Sequence, residues 1–204
     1  MAPYSDRLVL LLHGVAAFGH DLDPLARVLR RALPGAEVIA PDAPLACVPG
    51  PGRQWYDLDA VTPANRPERI EATRGACDGV IEGLIARHGF ADRPERVALV
   101  GFSQGATIVF DGFASGRWRA KAVVLLSGRF VKPQPFAPAK ETPVLLVHGA
   151  ADGAVPPDED AKAERWLAEA GVRVERHLLP GVGHVVSPKA ARLAARFLKV
   201  ELLS

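Results

Sequence analysis

The chain has 204 residues, enough for one well-buried domain and too few for two of ordinary size. About half of it is apolar (49 %) and the net charge is only +2, so it reads as a globular protein with no basic patch for nucleic acid. The first apolar run, Leu8 to Leu12, is too short for a signal-peptide core or a membrane span. No stable membrane insertion is expected, and a cytoplasmic location follows by default. Cys47 and Cys77 are too few for a disulfide framework in a chain of this size.

Strand and helix patterns then alternate along the whole length. Arg7–Leu12 reads as a strand, and Asp23-Pro24 opens a helix to about Leu33, with Asp as N-cap and Pro at the first position. Residues 37–40 form a short second strand. From 41 to 66 the chain is dense in breakers, among them Pro41, Pro44, Pro49, Gly50, Pro51, Gly52 and Pro63, which predicts a long loop without regular elements. A helix follows from Pro67 to His88, with Ile70, Cys77, Val80, Ile81, Leu84 and Ile85 on one face. Further strands are expected at 122–126, 144–148 and 172–178. Helices start at Pro157, where Asp158, Glu159 and Asp160 suit the dipole, and after Ser187-Pro188. Such alternation predicts an α/β fold: one domain over 1–204, a mostly parallel central sheet with helices on both faces, and no insertion large enough for a cap domain.

The stretch Val97-Ala98-Leu99-Val100-Gly101-Phe102-Ser103-Gln104-Gly105 carries the most information. Four apolar residues make a buried strand, Gly-Phe-Ser-Gln-Gly turns it sharply, and Ala106 to Phe110 can continue as a helix. This is the setting in which G-x-S-x-G is a nucleophile elbow, with Ser103 lifted clear of the sheet edge. A plain helix N-cap is the competing role for Ser103.

Serine needs a base to take its proton, and the base needs an orienting carboxylate. In hydrolases built on parallel sheets the order is Ser, acid, His, each after a strand. Asp152 follows Leu145-Leu146-Val147-His148-Gly149, and His184 sits on a glycine-flanked loop after the last strand. Asp152 as a mere turn aspartate and His184 as an idle loop histidine are the alternatives. His177 lies inside a strand and His148 comes too early in the order, while Asp158 and Asp160 are accounted for as first-turn helix charges. The oxyanion hole needs two backbone N–H groups, assigned to Gln104 and Val15. His13 is read as a residue that holds its loop by hydrogen bonding. No metal is expected, because no clustered Cys/His spacing or H-E-x-x-H occurs.

With these residues in place the chain resembles the phospholipase/carboxylesterase family, which includes the acyl-protein thioesterases. The resemblance rests on Leu12-His13-Gly14, Pro41-Asp42-Ala43-Pro44, Gln54-Trp55-Tyr56-Asp57, Gly101-Phe102-Ser103-Gln104-Gly105, Asp152 with Val155-Pro156, and Gly183-His184. It implies a lidless, cofactor-free α/β-hydrolase that cleaves small-molecule carboxylic esters or thioesters through an acyl-serine. Carried over by position, it supports Ser103, Asp152 and His184 as the triad, and Val15 and Gln104 as oxyanion donors. One departure stands out: the family's first loop usually reads His-Gly-x-Gly-x-x-Gly, and here Ala16 replaces the second glycine.

Phe18, Trp55, Phe102 and Val155 are the candidate walls of the acyl site, with Trp55 equally well read as a packed loop anchor. Short to medium acyl chains fit best. A long-chain lysophospholipase or acyl-protein thioesterase would use the same machinery, and a catalytically silent binding protein is the reading from a different class.

Overall fold

A computed structural model describes residues 5–48 and 50–203. Pro49, one of the loop prolines noted above, lies outside the described residues, as do the chain ends included in the 1–204 span.

The strands are β1 (Arg7–Leu12), β2 (Ala36–Ile39), β3 (Leu45–Ala46), β4 (Arg53–Gln54), β5 (Val97–Phe102), β6 (Ala122–Leu126), β7 (Val144–Gly149) and β8 (Val174–Leu179). The helices are α1 (Asp23–Ala32), α2 (Arg66–Arg87), α3 (Gln104–Ala114), α4 (Asp158–Glu169) and α5 (Pro188–Leu203). Six strands form one sheet in the order β2-β1-β5-β6-β7-β8, with every pairing parallel.

The sheet separates two cores because successive side chains on a strand point to opposite faces. Leu8, Leu10 and Leu12 of β1 join α2, α3 and α4 on one side. Val9 and Leu11 join α1 and α5 on the other. Strands covered on both faces need apolar residues at every position, which is why β1, β5, β6 and β7 read as unbroken apolar runs. The edge strands β2 and β8 are only partly buried, and β8 carries Glu175, Arg176 and His177, side chains that discourage further strand pairing.

The element boundaries differ from expectation by one or two residues. Leu22, not Asp23, is the N-cap of α1, because a 3-10 turn over Gly19–Leu22 feeds the helix. Ser187 does cap α5: its Oγ accepts the Ala190 N–H at 3.2 Å.

The segment 41–66 departs further. It holds a small antiparallel hairpin, with Leu45 opposite Gln54 and Ala46 opposite Arg53, and Arg53 donates its N–H to Ala17 O at 2.9 Å. The Arg53 side chain also bonds Ala43 O and Pro44 O, so the breaker-rich loop is stitched together by a long polar side chain. Among the described residues, neither of the two longest connections, 40–65 and 127–143, carries a helix over the sheet. No helix among them is long and apolar enough to cross a membrane.

Candidate active site

The strand order reverses between β1 and β5, since the chain leaves β1 toward β2 on one side and β5 lies on the other. In parallel sheets such a switch point opens a crevice at the C-terminal strand ends. Ser103 stands there, one residue past β5, with φ +54° and ψ −118°. That conformation is costly for any residue with a side chain and is characteristic of a nucleophile elbow. The flanking glycines make it possible. A Cβ on Gly101 would lie 2.5 Å from the Ala106 backbone, and one on Gly105 would lie 2.1 Å from Leu12 O.

The structure brings Ser103, His184 and Asp152 together. His184 Nε2 is 2.8 Å from Ser103 Oγ, and its Nδ1 is 2.7 Å from Asp152 Oδ2. The loop carrying His184 approaches the end of β7 so closely that a Cβ on Gly149 would sit 2.2 Å from Val182 O. Asp152 is almost fully buried, and burial by itself would raise its pKa. Hydrogen bonds from the Val155 N–H, His184 and the Ala154 N–H outweigh that and hold the carboxyl below its ordinary value, so it stays ionised.

Behind Asp152 lies a second, fully buried pair that the chain-order argument passed over. His148 Nε2 is 3.2 Å from Asp152 Oδ2 and 3.1 Å from Val155 O, and its Nδ1 is 2.9 Å from Asp160 Oδ1. The partners at Nε2 are both acceptors, so Nε2 carries hydrogen and donates toward Asp152. Burial opposes a charged imidazole, but Asp160 overrides it and raises His148, while burial raises Asp160 itself. The pair therefore retains one shared proton to higher pH than a free histidine. Asp160 is thus not a solvated first-turn charge; it faces inward and is fully buried. The available signal was the spacing of His148, Asp152 and Asp160, which puts an inward strand-end position and the first turn of the next helix around one loop.

On the opposite flank, the 13–15 loop is held by side chains. Ala43 N–H donates to His13 Nε2 at 3.0 Å, and His13 Nδ1 lies 2.6 Å from Gly14 O. The ring is therefore the neutral Nδ1–H tautomer, and burial lowers its pKa in agreement. Asp42 accepts the Gly19 N–H at 2.7 Å. Ala16 takes φ +57°, the left-handed conformation that glycine favours, so the alanine accepts a glycine backbone rather than altering it. Val15 is 36 % exposed, borders the crevice, and its N–H meets no acceptor among the described residues.

Gln104 has two functions in the architecture. Its N–H is one of the unpaired donors at the start of α3. Its side chain accepts the Trp55 N–H and donates to Tyr56 O, both at 2.7 Å.

Two of the four candidate wall residues do not reach the site. Trp55 is fully buried, donates its Nε1–H to His13 O at 2.9 Å and lines neither cleft, so it is a loop anchor. Phe18, in extended conformation just before the 3-10 turn, stacks on His20 and also lies off both clefts. Phe102 and Val155 do border the site, Phe102 with its ring 5.1 Å from that of His184.

Two clefts meet at Ser103 and His184. One, of about 530 Å³, runs between α1 and α5 and is walled by Leu22, Leu25, Val28, Phe102, Val186 and Ala191, with Asp21 as its only carboxylate. The other, of about 330 Å³, lies under the 56–66 segment and includes Tyr56, Leu58, Arg66, Thr107, Arg129 and Val155. No group of three or more His, Cys, Asp or Glu side chains suited to a metal ion occurs among the described residues.

A family model described as phospholipase/carboxylesterase matches residues 3–202. Esterase YpfH of Escherichia coli (strain K12) is 24 % identical over 195 residues, covering 96 % of this chain and 83 % of that protein. Acyl-protein thioesterase 1 homolog 1 of Dictyostelium discoideum is 25 % identical over 206 residues, covering 95 % and 90 %. The crystal structure of esterase PE8 superposes with a TM-score of 0.88 at 31 % identity, over 99 % of this chain and 97 % of that one. A match that spans nearly every residue, on a parallel sheet with a serine elbow at its switch point, makes the chain a member of the phospholipase/carboxylesterase family of α/β-hydrolases.

Proposed function

We propose that the protein hydrolyses carboxylic esters or thioesters of short to medium acyl chains through an acyl-serine intermediate. The observation that carries this reading is the hydrogen-bonded chain from Ser103 through His184 to Asp152 at the junction of two open clefts.

His184 takes the Ser103 proton as Oγ attacks the carbonyl carbon. The N–H groups of Gln104 and Val15 receive the oxyanion, and Asp152 keeps hydrogen on His184 Nδ1 so that Nε2 is free to act as base. As the tetrahedral intermediate collapses, the C–O or C–S bond breaks and His184 gives its proton to the leaving oxygen or sulfur. Water then adds to the acyl-serine with His184 as base, and the carboxylic acid departs. The apolar cleft between α1 and α5 suits the acyl chain, with Phe102 against His184 at its inner end.

The test is hydrolysis of p-nitrophenyl esters from acetate to palmitate, each beside the Ser103→Ala variant. Turnover that peaks at short or medium chains and disappears in the variant is expected. A palmitate optimum would replace the chain-length assignment with a long-chain lysophospholipase or acyl-protein thioesterase. Undiminished turnover in the variant would reject Ser103, and no turnover at any length would favour a silent binding protein.

A further inference from the structure

The smaller cleft differs from the apolar one in charge. Arg66 and Arg129 both line it, both are half-buried, and neither has a carboxylate within 4.0 Å among the described residues. Each is aimed by one bond to a neutral oxygen: Arg66 Nη1 to Tyr56 Oη at 3.2 Å, and Arg129 Nη2 to Ala154 O at 3.1 Å. Their situation contrasts with that of Arg74 and Arg117 toward the C-terminal end of α3, which are matched by Asp111 and Asp78 at 2.8–3.1 Å.

Two of the acids near them in sequence are already engaged. Asp57 pairs with Arg69 at 3.5 Å, and Glu159 takes Lys162 and the Phe130 N–H. No Asp or Glu lines this cleft. Two guanidinium groups partly withdrawn from water, with most of their donors uncommitted, are stabilised by an anion that accepts from them.

The geometry of acyl transfer says which part of the substrate brings that anion. The tetrahedral carbon on Ser103 bears the acyl chain and the leaving group as separate substituents. With the chain in the apolar cleft, the leaving group projects into the other, where His184 also stands to protonate it. We propose that Arg66 and Arg129 form a leaving-group subsite for an ester or thioester whose alcohol or thiol portion carries a carboxylate or a phosphate. This rests on the hydrolase reading above and narrows it.

The test compares kcat/KM for phenyl hexanoate, 4-carboxyphenyl hexanoate and 4-(phosphonooxy)phenyl hexanoate. The anionic-to-neutral ratio is taken in the wild type and in the Arg66→Gln/Arg129→Gln variant. Intrinsic ester reactivity and the active fraction of each preparation cancel in that double ratio. Loss of charge-assisted bonds predicts a fall of about tenfold or more for at least one anionic ester, and the ester that responds identifies carboxylate or phosphate as the natural group. A fall of less than threefold for both overturns the subsite.

Should the double variant not fold, salt gives the same answer in the wild type. At 0.5 M NaCl the anionic esters lose rate and the phenyl ester does not; equal salt responses overturn the proposal. Turnover of none of the three esters would sink the hydrolase reading instead. Calorimetric binding of phenyl phosphate or benzoate to the Ser103→Ala protein, abolished when both arginines are glutamine, would then uphold the anion site alone, and no binding would reject it.

Discussion

The two flanks of Ser103 are built from different materials. On one, every group that faces the serine is a side chain: His184, then Asp152, then the buried His148–Asp160 pair. On the other, the groups that face it are backbone N–H donors and apolar walls, and the polar side chains of His13, Asp42 and Gln104 act one step away by fixing that backbone. Under the proposed mechanism, side-chain identity therefore governs the first flank and backbone conformation the second.

The sharpest way to separate the flanks is Asp152→Asn, a near-isosteric change that stabilises the wrong tautomer of His184. A loss of about 10⁴-fold in kcat is expected, on the scale seen for the same change in serine-protease triads, with little change in KM. Kinetics with a p-nitrophenyl ester would reveal it, and a loss below tenfold would remove Asp152 from the chemistry.

Val15 provides the matching test on the backbone flank. Val15→Pro deletes the N–H and should cost about 100- to 1000-fold in kcat, whereas Val15→Ala keeps it and should stay within about twofold. Similar losses in both variants, at unchanged melting temperature, would mean that the Val15 side chain matters and the N–H does not.

The buried pair makes a pH prediction about stability. His148 and Asp160 are both raised in the folded protein, so folding retains protons that an unfolded chain gives up from below pH 4 and around pH 6.5. The stability they supply is present at low pH and lost as pH rises through the raised His148 value. Asp152, whose value is lowered, contributes its full stability throughout the neutral range and loses it only as pH falls into the acid region, so it leaves the neutral range flat. The groups facing the pair are Asp152, Glu159 and Arg176. Between pH 6 and 8.5 the melting temperature should fall more steeply in the wild type than in a His148→Gln/Asp160→Asn variant. The window stops there because burial moves the Cys77 thiol to about 11, which adds its own slope at higher pH. Parallel slopes in the two proteins would show that the pair does not hold the proton.

The smallest effect concerns Ala16. Replacing it with glycine relieves a left-handed alanine and should stabilise the fold by about 0.5–1 kcal/mol, read by denaturant unfolding. No gain would mean that the loop is unstrained.

The same division explains what was readable in the sequence. The elbow could be found because its demands are local and steric: two glycines, a serine and a strand-to-helix change within nine residues. The parallel sheet could be found because burial on both faces leaves unbroken apolar runs. Trp55 could not be assigned from its neighbours, since its burial is decided by His13 and Gln104, residues 42 and 49 positions away. Phe18 was misplaced for a related reason: its ring is held by stacking on His20, a contact that leaves no mark in the hydrophobic pattern. His148 was set aside because chain order ranks candidates for the base and is silent about what stands behind the acid. The hairpin at 45–54 is two residues per strand, too short for any period to register.

The side chain of Gln104 offers an acceptor and a donor to residues 55 and 56 much as a neighbouring strand would, and so it ends the long loop at a fixed point beside the nucleophile. At the far side, α2 begins at Arg66 and is tied back by Thr73, whose hydroxyl donates to Trp55 O at 2.7 Å. Residues 57 to 65 are thus a segment suspended between two clamps. Changes in its length or composition can redraw one wall of the smaller cleft while Ser103 stays where it is, which makes this stretch the place where substrate range can diverge between relatives that share one reaction centre.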